Sequence, residues 1–281
     1  MEERRLALPA LARRFTEEFL AAPHRGYGGA VRDVFQALKE EEWREPLGPA
    51  ARQFGGSGSY GNGAGMRAHP VAMALVGEGE GRVREAAGQV ARITHSHPLG
   101  VVGGQAQAVA VYHALQGASP AEVRGKVEEL VEDDLEFSMK MGVIHRSLGL
   151  GEEMLEEVVL GGEEAEGLGN GVAALHSVPT ALYCYLSVLG AEGEGEASEE
   201  RKQALFEQVI TRAIQCGGDT DTIASMAGAI AGAALGQQAV SRELVAACEA
   251  GEEIRALATS MWEIVNEEVG LEASQSKKPK M

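Results

Sequence analysis

The chain has 281 residues, of which 44% are hydrophobic and 24% are charged, and its formal net charge at pH 7 is −17. This length suits one large domain with a sizeable core, and the negative charge argues against a broad nucleic-acid-binding face. No apolar run reaches the ~18 residues of a membrane span, and the N-terminal sequence MEERRLALPALARRF lacks the pattern of a secretory signal.

Apolar residues follow helical spacing along almost the whole chain. Near the N-terminus, two helices are predicted from residues three or four positions apart: Leu8, Leu11, Phe15 and Phe19, then Val31, Val34, Phe35 and Leu38. Further helices are predicted over residues 82–94, 101–117, 120–138, 171–189, 200–215, 221–236 and 251–268. No segment alternates with period two over the length of a strand. The predicted fold is therefore all-α, a single-domain helical bundle over 1–270 followed by a disordered basic tail at 271–281.

A glycine-rich segment, FGGSGSYGNGAGMR at Phe54–Arg67, is not explained by helix packing. Glycines permit positive φ and let backbone N–H groups approach a ligand closely, which suits a phosphate cradle. Phe54 or Tyr60 would add a flat surface for a base or sugar. The alternative is a flexible linker. The segment is not a P-loop, because no Gly-Lys-Ser/Thr follows it.

Two further loops carry polar residues. In ITHSHPLGVVGGQAQ, His95 and His97 are two positions apart, and either one is a candidate for a hydrogen-bonded structural histidine at a helix end. A zinc site would need a third ligand, and the widely spaced Cys184, Cys216 and Cys248 instead suggest buried thiols. In GLGNGVAALHSVPTALY, Asn170 is interpreted as a helix N-cap.

The segment IQCGGDTDTIASMAGAIAGAALG places Asp219, Asp221 and Thr222 at the start of a helix of small residues. In a turn that enters a helix the two carboxylates can converge, and hard oxygen ligands suit Mg²⁺ or Ca²⁺. The small residues behind them allow neighbouring helices to pack closely. The alternative is an aspartate N-cap beside a tightly packed helix. Any magnesium site here would need further ligands from elsewhere.

These segments resemble one family. GGDTDTIASMAGAIAGA is similar to the C-terminal metal motif of the ADP-ribosylglycohydrolases, and GSYGNGAGMR, THSHPLG and LGNGVAALHSVPTALYCYL match the same family in the same order. Together they look most like its vertebrate serine-directed branch, which also degrades poly(ADP-ribose). The resemblance runs from about Arg13 to near residue 268. It implies an all-α bundle with two magnesium ions in a central cleft.

The resemblance also implies roles for individual residues. It makes Asp219, Asp221 and Thr222 magnesium ligands, and it implies hydrolysis at the anomeric carbon of a ribose linked to serine or to another ribose. The implied substrate-binding residues are Phe54, Ser57, Gly58, Ser59, Tyr60, Gly61, Asn62, Gly63, His95 and Val172, with Ser57–Gly63 against the diphosphate and ribose and Phe54 beside the adenine.

One part of the family pattern has no counterpart here. The family's catalytic acidic residue and Thr-Asp-Asp motif are absent, and the acidic run at 132–134 is expected inside an amphipathic helix. The resemblance thus implies an N-terminally incomplete chain with no catalytic residue assigned. Two alternative functions follow. The first is a magnesium-dependent hydrolase that reverses ADP-ribosylation after DNA damage. The second is a catalytically silent protein that either binds ADP-ribose or has a crystallin-like structural role.

The expected partners are ADP-ribose and ADP-ribosylated proteins or poly(ADP-ribose), without direct nucleic-acid or membrane binding. The resemblance implies a monomer in the nucleus and cytoplasm, with the mitochondrial matrix as a further compartment.

Overall fold

The computed structural model describes residues 6–162, 166–192 and 197–276, with side chains up to residue 267. Across these residues the regular structure is helical, apart from two isolated β-bridges. The α-helices are α1 Leu8–Ala21, α2 Gly29–Glu40, α3 Gly48–Arg52, α4 His69–Ala74, α5 Glu80–Arg92, α6 Pro98–Leu115, α7 Pro120–Val131, α8 Leu135–Ser147, α9 Leu155–Leu160, α10 Ala174–Leu189, α11 Glu199–Gln215, α12 Thr220–Leu235, α13 Arg242–Ala247 and α14 Gly251–Ser276. The all-α prediction is confirmed.

Helices α6, α10 and α12 form the centre of the bundle. Helices α6 and α10 are buried almost all round, and each packs against α12. A side chain at Gly228 of α12 would lie 2.9 Å from Cδ1 of Ile210 in α11. The small residues of α12 therefore allow the close helix packing that the sequence predicts.

The predicted single helix over 120–138 is wrong. Helix α7 ends at Val131, and α8 begins at Leu135 with the Asp134 side chain as its N-cap, accepting a hydrogen bond from the N–H of Phe137 at 3.0 Å. The acidic run at 132–134 accordingly lies in the link between two helices. An aspartate that caps the following helix provides the break without glycine or proline.

Helices α1 and α2 build a second, smaller core. Phe19 stacks on Phe35 with ring centroids 5.1 Å apart, and Tyr27 meets both rings edge-on. Ile93, just after α5, is fully buried in the same cluster. The small core thereby fixes the end of α5, which leads directly into the THSHPLG segment.

At the other end of the chain, α14 continues to Ser276, so the predicted tail at 271–281 begins inside this helix. Residues 277–281 of that tail lie outside the described part of the chain. No helix in the described ranges is both long enough and apolar enough to cross a membrane.

Candidate functional site

The glycine-rich loop packs tightly on the segment that begins α6. Gly58 has a φ of +74°, and a Cβ there would overlap the Ser96 hydroxyl and lie 2.6 Å from the backbone nitrogen of His97. A Cβ at Gly100 would lie 2.7 Å from the carbonyl oxygen of Ser59. These contacts show an ordered loop and contradict the flexible-linker alternative. The glycines at 58 and 100 are required by packing inside the protein, whereas Gly55 and Gly56 face open space.

Two consecutive N–H groups of this loop have no hydrogen-bond acceptor within the described part of the chain. Gly58 N–H donates to Gln53 at 3.1 Å and Gly61 N–H donates to Ser59 Oγ at 3.3 Å. The N–H groups of Ser59 and Tyr60, which lie between them, have no acceptor among the described residues. Successive unpaired N–H groups in a turn favour an anion.

The loop is joined to the segment before α10 by an antiparallel bridge. Asn62 N–H donates to the carbonyl of Val172 at 2.9 Å, and Ala174 N–H donates to the carbonyl of Tyr60 at 3.0 Å. Tyr60 and Val172 lie on the two bridged segments, and their side chains are 55% and 68% exposed. Phe54, in the left-handed region at φ +50°, is 61% exposed. Three large apolar side chains on the loop and its paired segment are therefore exposed to solvent.

The aspartate loop is held by Asn170. The carbonyl of Asn170 accepts from Asp219 N–H at 2.8 Å, and its Nδ2 donates to the carbonyl of Cys216 at 2.8 Å. Gly218 has a φ of +65°, and a Cβ there would overlap the Asn170 carbonyl oxygen. The prediction that Asn170 is an N-cap is wrong, because Ala173 occupies the N-cap position of α10. Asn170 instead ties two distant loops together.

Asp219 stands at the N-cap position of α12, but its side chain makes no capping bond. Its Oδ2 accepts from Nδ2 of Asn62 at 2.6 Å, and the same nitrogen donates to Ser177 Oγ at 3.0 Å. The neighbouring Asp219 side chain lowers the pKa of Asp221, with a smaller effect from the N–H of Thr222, which donates to Oδ1 of Asp221 at 2.9 Å. The two carboxyl groups therefore lie close to each other at the start of α12.

The chemistry of this donor set fits a hard divalent cation. Asp219, Asp221 and Thr222 offer two carboxylates and a hydroxyl, and Mg²⁺ prefers oxygen ligands, about six of them. In the described ranges no group of three or more His, Cys, Asp or Glu side chains could hold a metal ion. The three residues would therefore supply part of a coordination shell.

His95 lies underneath the glycine loop. Burial, with a smaller effect from Arg67, lowers the pKa of His95 to about 3, so the ring is neutral at physiological pH. A Cβ at Gly63 would lie 2.8 Å from its Cε1. His97, by contrast, is half-buried and meets the exposed Tyr60 ring edge-on at 5.8 Å. The substrate-binding role that the resemblance implies for His95 stays a prediction, and His97 is the histidine whose ring contacts Tyr60.

The cysteines differ in exposure. Cys184 and Cys216 are buried free thiols with Sγ atoms 3.6 Å apart, and their mutual hydrogen bond raises the pKa of Cys184 and lowers that of Cys216. Cys248 is exposed. The prediction of three buried thiols is wrong for Cys248, which lies between the short helix α13 and α14.

The sequence profile of the ADP-ribosylglycohydrolases matches residues 1–270. The chain belongs to this family. Its similar relatives include ADP-ribosylhydrolase ARH3 of Mus musculus, 38% identical over 269 residues, covering 92% of this chain and 71% of the relative. ARH3 of Homo sapiens is 38% identical over 263 residues, covering 89% of this chain and 71% of the relative. The family places the chain among the hydrolases of glycosidic bonds that act on ADP-ribosylated substrates.

A solved structure described as an ADP-ribosylglycohydrolase-related protein complex has a similar fold. Its TM-score to this chain is 0.60 at 22% identity, and the match covers 91% of this chain and 80% of that one. This likeness supports the all-α fold.

Proposed function

We propose that this chain hydrolyses O-linked ADP-ribose in a magnesium-dependent reaction, on serine-modified proteins and on the ribose–ribose bonds of poly(ADP-ribose). The observation that carries the proposal is the Asn62 side chain, which joins the glycine loop to the Asp219 carboxylate at 2.6 Å. This contact combines the loop suited to a diphosphate and the carboxylates suited to a cation in a single site. Relatives named ADP-ribosylhydrolase ARH3 support the assignment.

In this proposal the loop Ser57–Gly63 binds the diphosphate, with the N–H groups of Ser59 and Tyr60 donating to its oxygens. Phe54 offers its exposed ring to the adenine, and Val172 forms the wall beside the ribose. Asn170 and Asn62 orient the Asp219 loop from both sides. Such fixed geometry lowers the entropic cost of placing the sugar for reaction.

The proposed metal ligands are Asp219, Asp221 and Thr222. Magnesium bound there would supply Lewis-acid chemistry, polarising oxygens of the ribose and of water at the anomeric carbon. Asn62 donates to Oδ2 of Asp219 and so holds that carboxylate toward the loop. No side chain of this chain is assigned as the catalytic acid or base.

A second candidate is a silent ADP-ribose-binding or structural protein. It is favoured by the lack of a third acid, histidine or cysteine beside Asp219 and Asp221 within the described residues. Such a protein would still bind ADP-ribose through the loop, because the available N–H groups and exposed aromatic rings do not require a complete metal shell.

Release of ADP-ribose from a serine-modified peptide distinguishes the two candidates. We expect release in Mg²⁺ that stops on addition of chelator and in the Asp219→Asn variant. Binding of ADP-ribose without release in Mg²⁺ would support the silent protein and contradict the hydrolase. No binding and no release would contradict both the hydrolase and the ADP-ribose-binding protein, and would leave the structural role.

By the same resemblance, we propose a role in reversing ADP-ribosylation after DNA damage, as a monomer in the nucleus, cytoplasm and mitochondrial matrix. The net charge of −17 supports recognition of the modification over direct binding of nucleic acid. Accumulation of serine-linked ADP-ribose after damage in cells lacking the protein would be the expected phenotype. Unchanged levels would contradict this role.

A further inference from the structure

Arg67, at the end of the glycine-rich segment, carries a positive charge that meets only neutral groups. Its Nη1 donates to the carbonyl of Gly63 at 2.7 Å, and its Nη2 donates to Thr94 Oγ1 at 2.6 Å and to the carbonyl of Val90 at 3.2 Å. The guanidinium carbon lies 5.1 Å from the centre of the Phe15 ring. Within the described ranges, no carboxylate lies within ion-pairing distance of Arg67.

This arrangement is unusual because buried charges are normally paired with an opposite charge. The Arg67 residue as a whole is half-buried, but its Nε is fully buried and has no partner within the described residues. Burial lowers the pKa of Arg67 only to about 10, so the guanidinium stays charged at neutral pH. The fold therefore maintains a fixed positive charge directly behind Gly63.

The neutral partners connect Arg67 to the loop in two ways. It holds the Gly63 carbonyl directly, and it donates to Thr94, whose hydroxyl lies 2.7 Å from Nδ1 of His95. Because Arg67 can only donate, the Thr94 hydrogen is free to donate to Nδ1. The His95 ring then presents Nε2 beneath Gly61, where a Cβ would lie 3.4 Å away.

We propose that Arg67 is a positioning residue that also supplies the compensating positive charge for the diphosphate of ADP-ribose. This inference rests on the proposed function of the loop. A negative ligand on the loop would be attracted by the guanidinium through a poorly solvated region, where charges are weakly screened. The diphosphate would thus be the opposite charge that Arg67 lacks within the described part of the protein.

Calorimetry with ADP-ribose, and ligand-observed NMR with adenosine, test the role of the charge. We expect Arg67→Met to weaken ADP-ribose binding about tenfold or more, a factor typical of losing one charged contact, and to leave adenosine binding nearly unchanged. Arg67→Lys keeps the charge and should retain most of the affinity. Arg92→Met, which removes an exposed arginine from the end of α5, is the matched control and should behave as wild type.

The proposal would be overturned if Arg67→Met and Arg67→Lys lost equal affinity for ADP-ribose, or if Arg67→Met lost equal affinity for ADP-ribose and adenosine. Either result would show that the role of Arg67 is purely structural. Unchanged ADP-ribose affinity in Arg67→Met would overturn it as well. If Arg67→Met does not fold, folded Arg67→Lys decides the question. A large loss of ADP-ribose affinity in Arg67→Lys would overturn the proposal, and retained affinity would support the role of the positive charge. If wild-type protein binds ADP-ribose no better than adenosine, the proposed function itself fails.

Discussion

Replacement of Asn62 by alanine removes the contact that joins the two halves of the site. Nδ2 of Asn62 uses both hydrogens, one toward Asp219 Oδ2 at 2.6 Å and one toward Ser177 Oγ at 3.0 Å. The residue is only 7% exposed, so water cannot easily replace these bonds. The expected result is a less stable protein whose Asp219 carboxylate is no longer oriented toward the loop.

The magnitude follows from the two bonds. A hydrogen bond to a charged group contributes about 1.5–3 kcal/mol to stability and a neutral one about 0.5–1.5 kcal/mol. Asn62→Ala should therefore lower the free energy of unfolding by roughly 3 kcal/mol. For a chain of this size that is a fall in Tm of about 6 °C. Ser177→Ala is the matched control, because it leaves the Asn62–Asp219 contact in place and removes only neutral bonds, the one from Asn62 and the one that its own hydroxyl donates to the carbonyl of Ala173 at 3.0 Å. This substitution should lower the free energy of unfolding by about 1–2 kcal/mol.

Differential scanning calorimetry gives the stability, and titration calorimetry of ADP-ribose with and without Mg²⁺ gives the binding. We expect Asn62→Ala to lose any enhancement of binding by Mg²⁺, while Ser177→Ala keeps it. If the two variants match in both stability and Mg²⁺ dependence, the argument that Asn62 orients Asp219 is refuted.

Three further predictions concern charge, backbone and pH. Asp219→Asn should abolish hydrolysis with little change in circular dichroism, and near-wild-type turnover at limiting Mg²⁺ would rule out its role as a ligand. Gly217→Ala and Gly218→Ala both place a side chain at positive φ, which costs about 1–2 kcal/mol of stability. Only the Cβ at Gly218 would overlap a carbonyl oxygen, that of Asn170. Urea unfolding should therefore show the larger loss of stability in Gly218→Ala. Because the pKa of buried His95 is lowered from 6.5 to about 3, the unfolded chain takes up a proton first as pH falls. As the pH falls from 6.5 to about 3, the free energy of unfolding should then decrease by about 1.4 kcal/mol per pH unit. In urea titrations, His95→Gln should reduce the dependence of this free energy on pH, whereas His24→Gln, at an exposed position, should not. An unchanged dependence on pH in His95→Gln would be evidence against a neutral His95.

Local spacing was sufficient to predict most helices, because apolar residues such as Leu11 and Phe35 repeat at helical intervals. It failed at 132–134, where apolar residues on both sides keep the helical period and Asp134 alone marks the break. The N-cap preference of aspartate was the available signal, but a single aspartate inside a periodic segment is weak evidence.

The candidate site was only partly predictable, because its contacts join residues far apart in sequence. Gly58 was interpreted as a position for close approach of a ligand, which stays a prediction, and the structure shows a close approach to Ser96 and His97 that the sequence did not reveal. Asn62 and Asp219 are separated by 157 positions, and no local pattern relates them. Motif composition identified the right segments, while the partners of each glycine and asparagine depended on the tertiary fold.

A crystal structure of the chain with ADP-ribose and Mg²⁺ tests the central claim most directly. The account predicts the diphosphate within hydrogen-bonding distance of the N–H groups of Ser59 and Tyr60, and a magnesium ion bound by Asp219 and Asp221. A ligand bound away from the glycine loop, or a magnesium ion that contacts neither carboxylate, would contradict it.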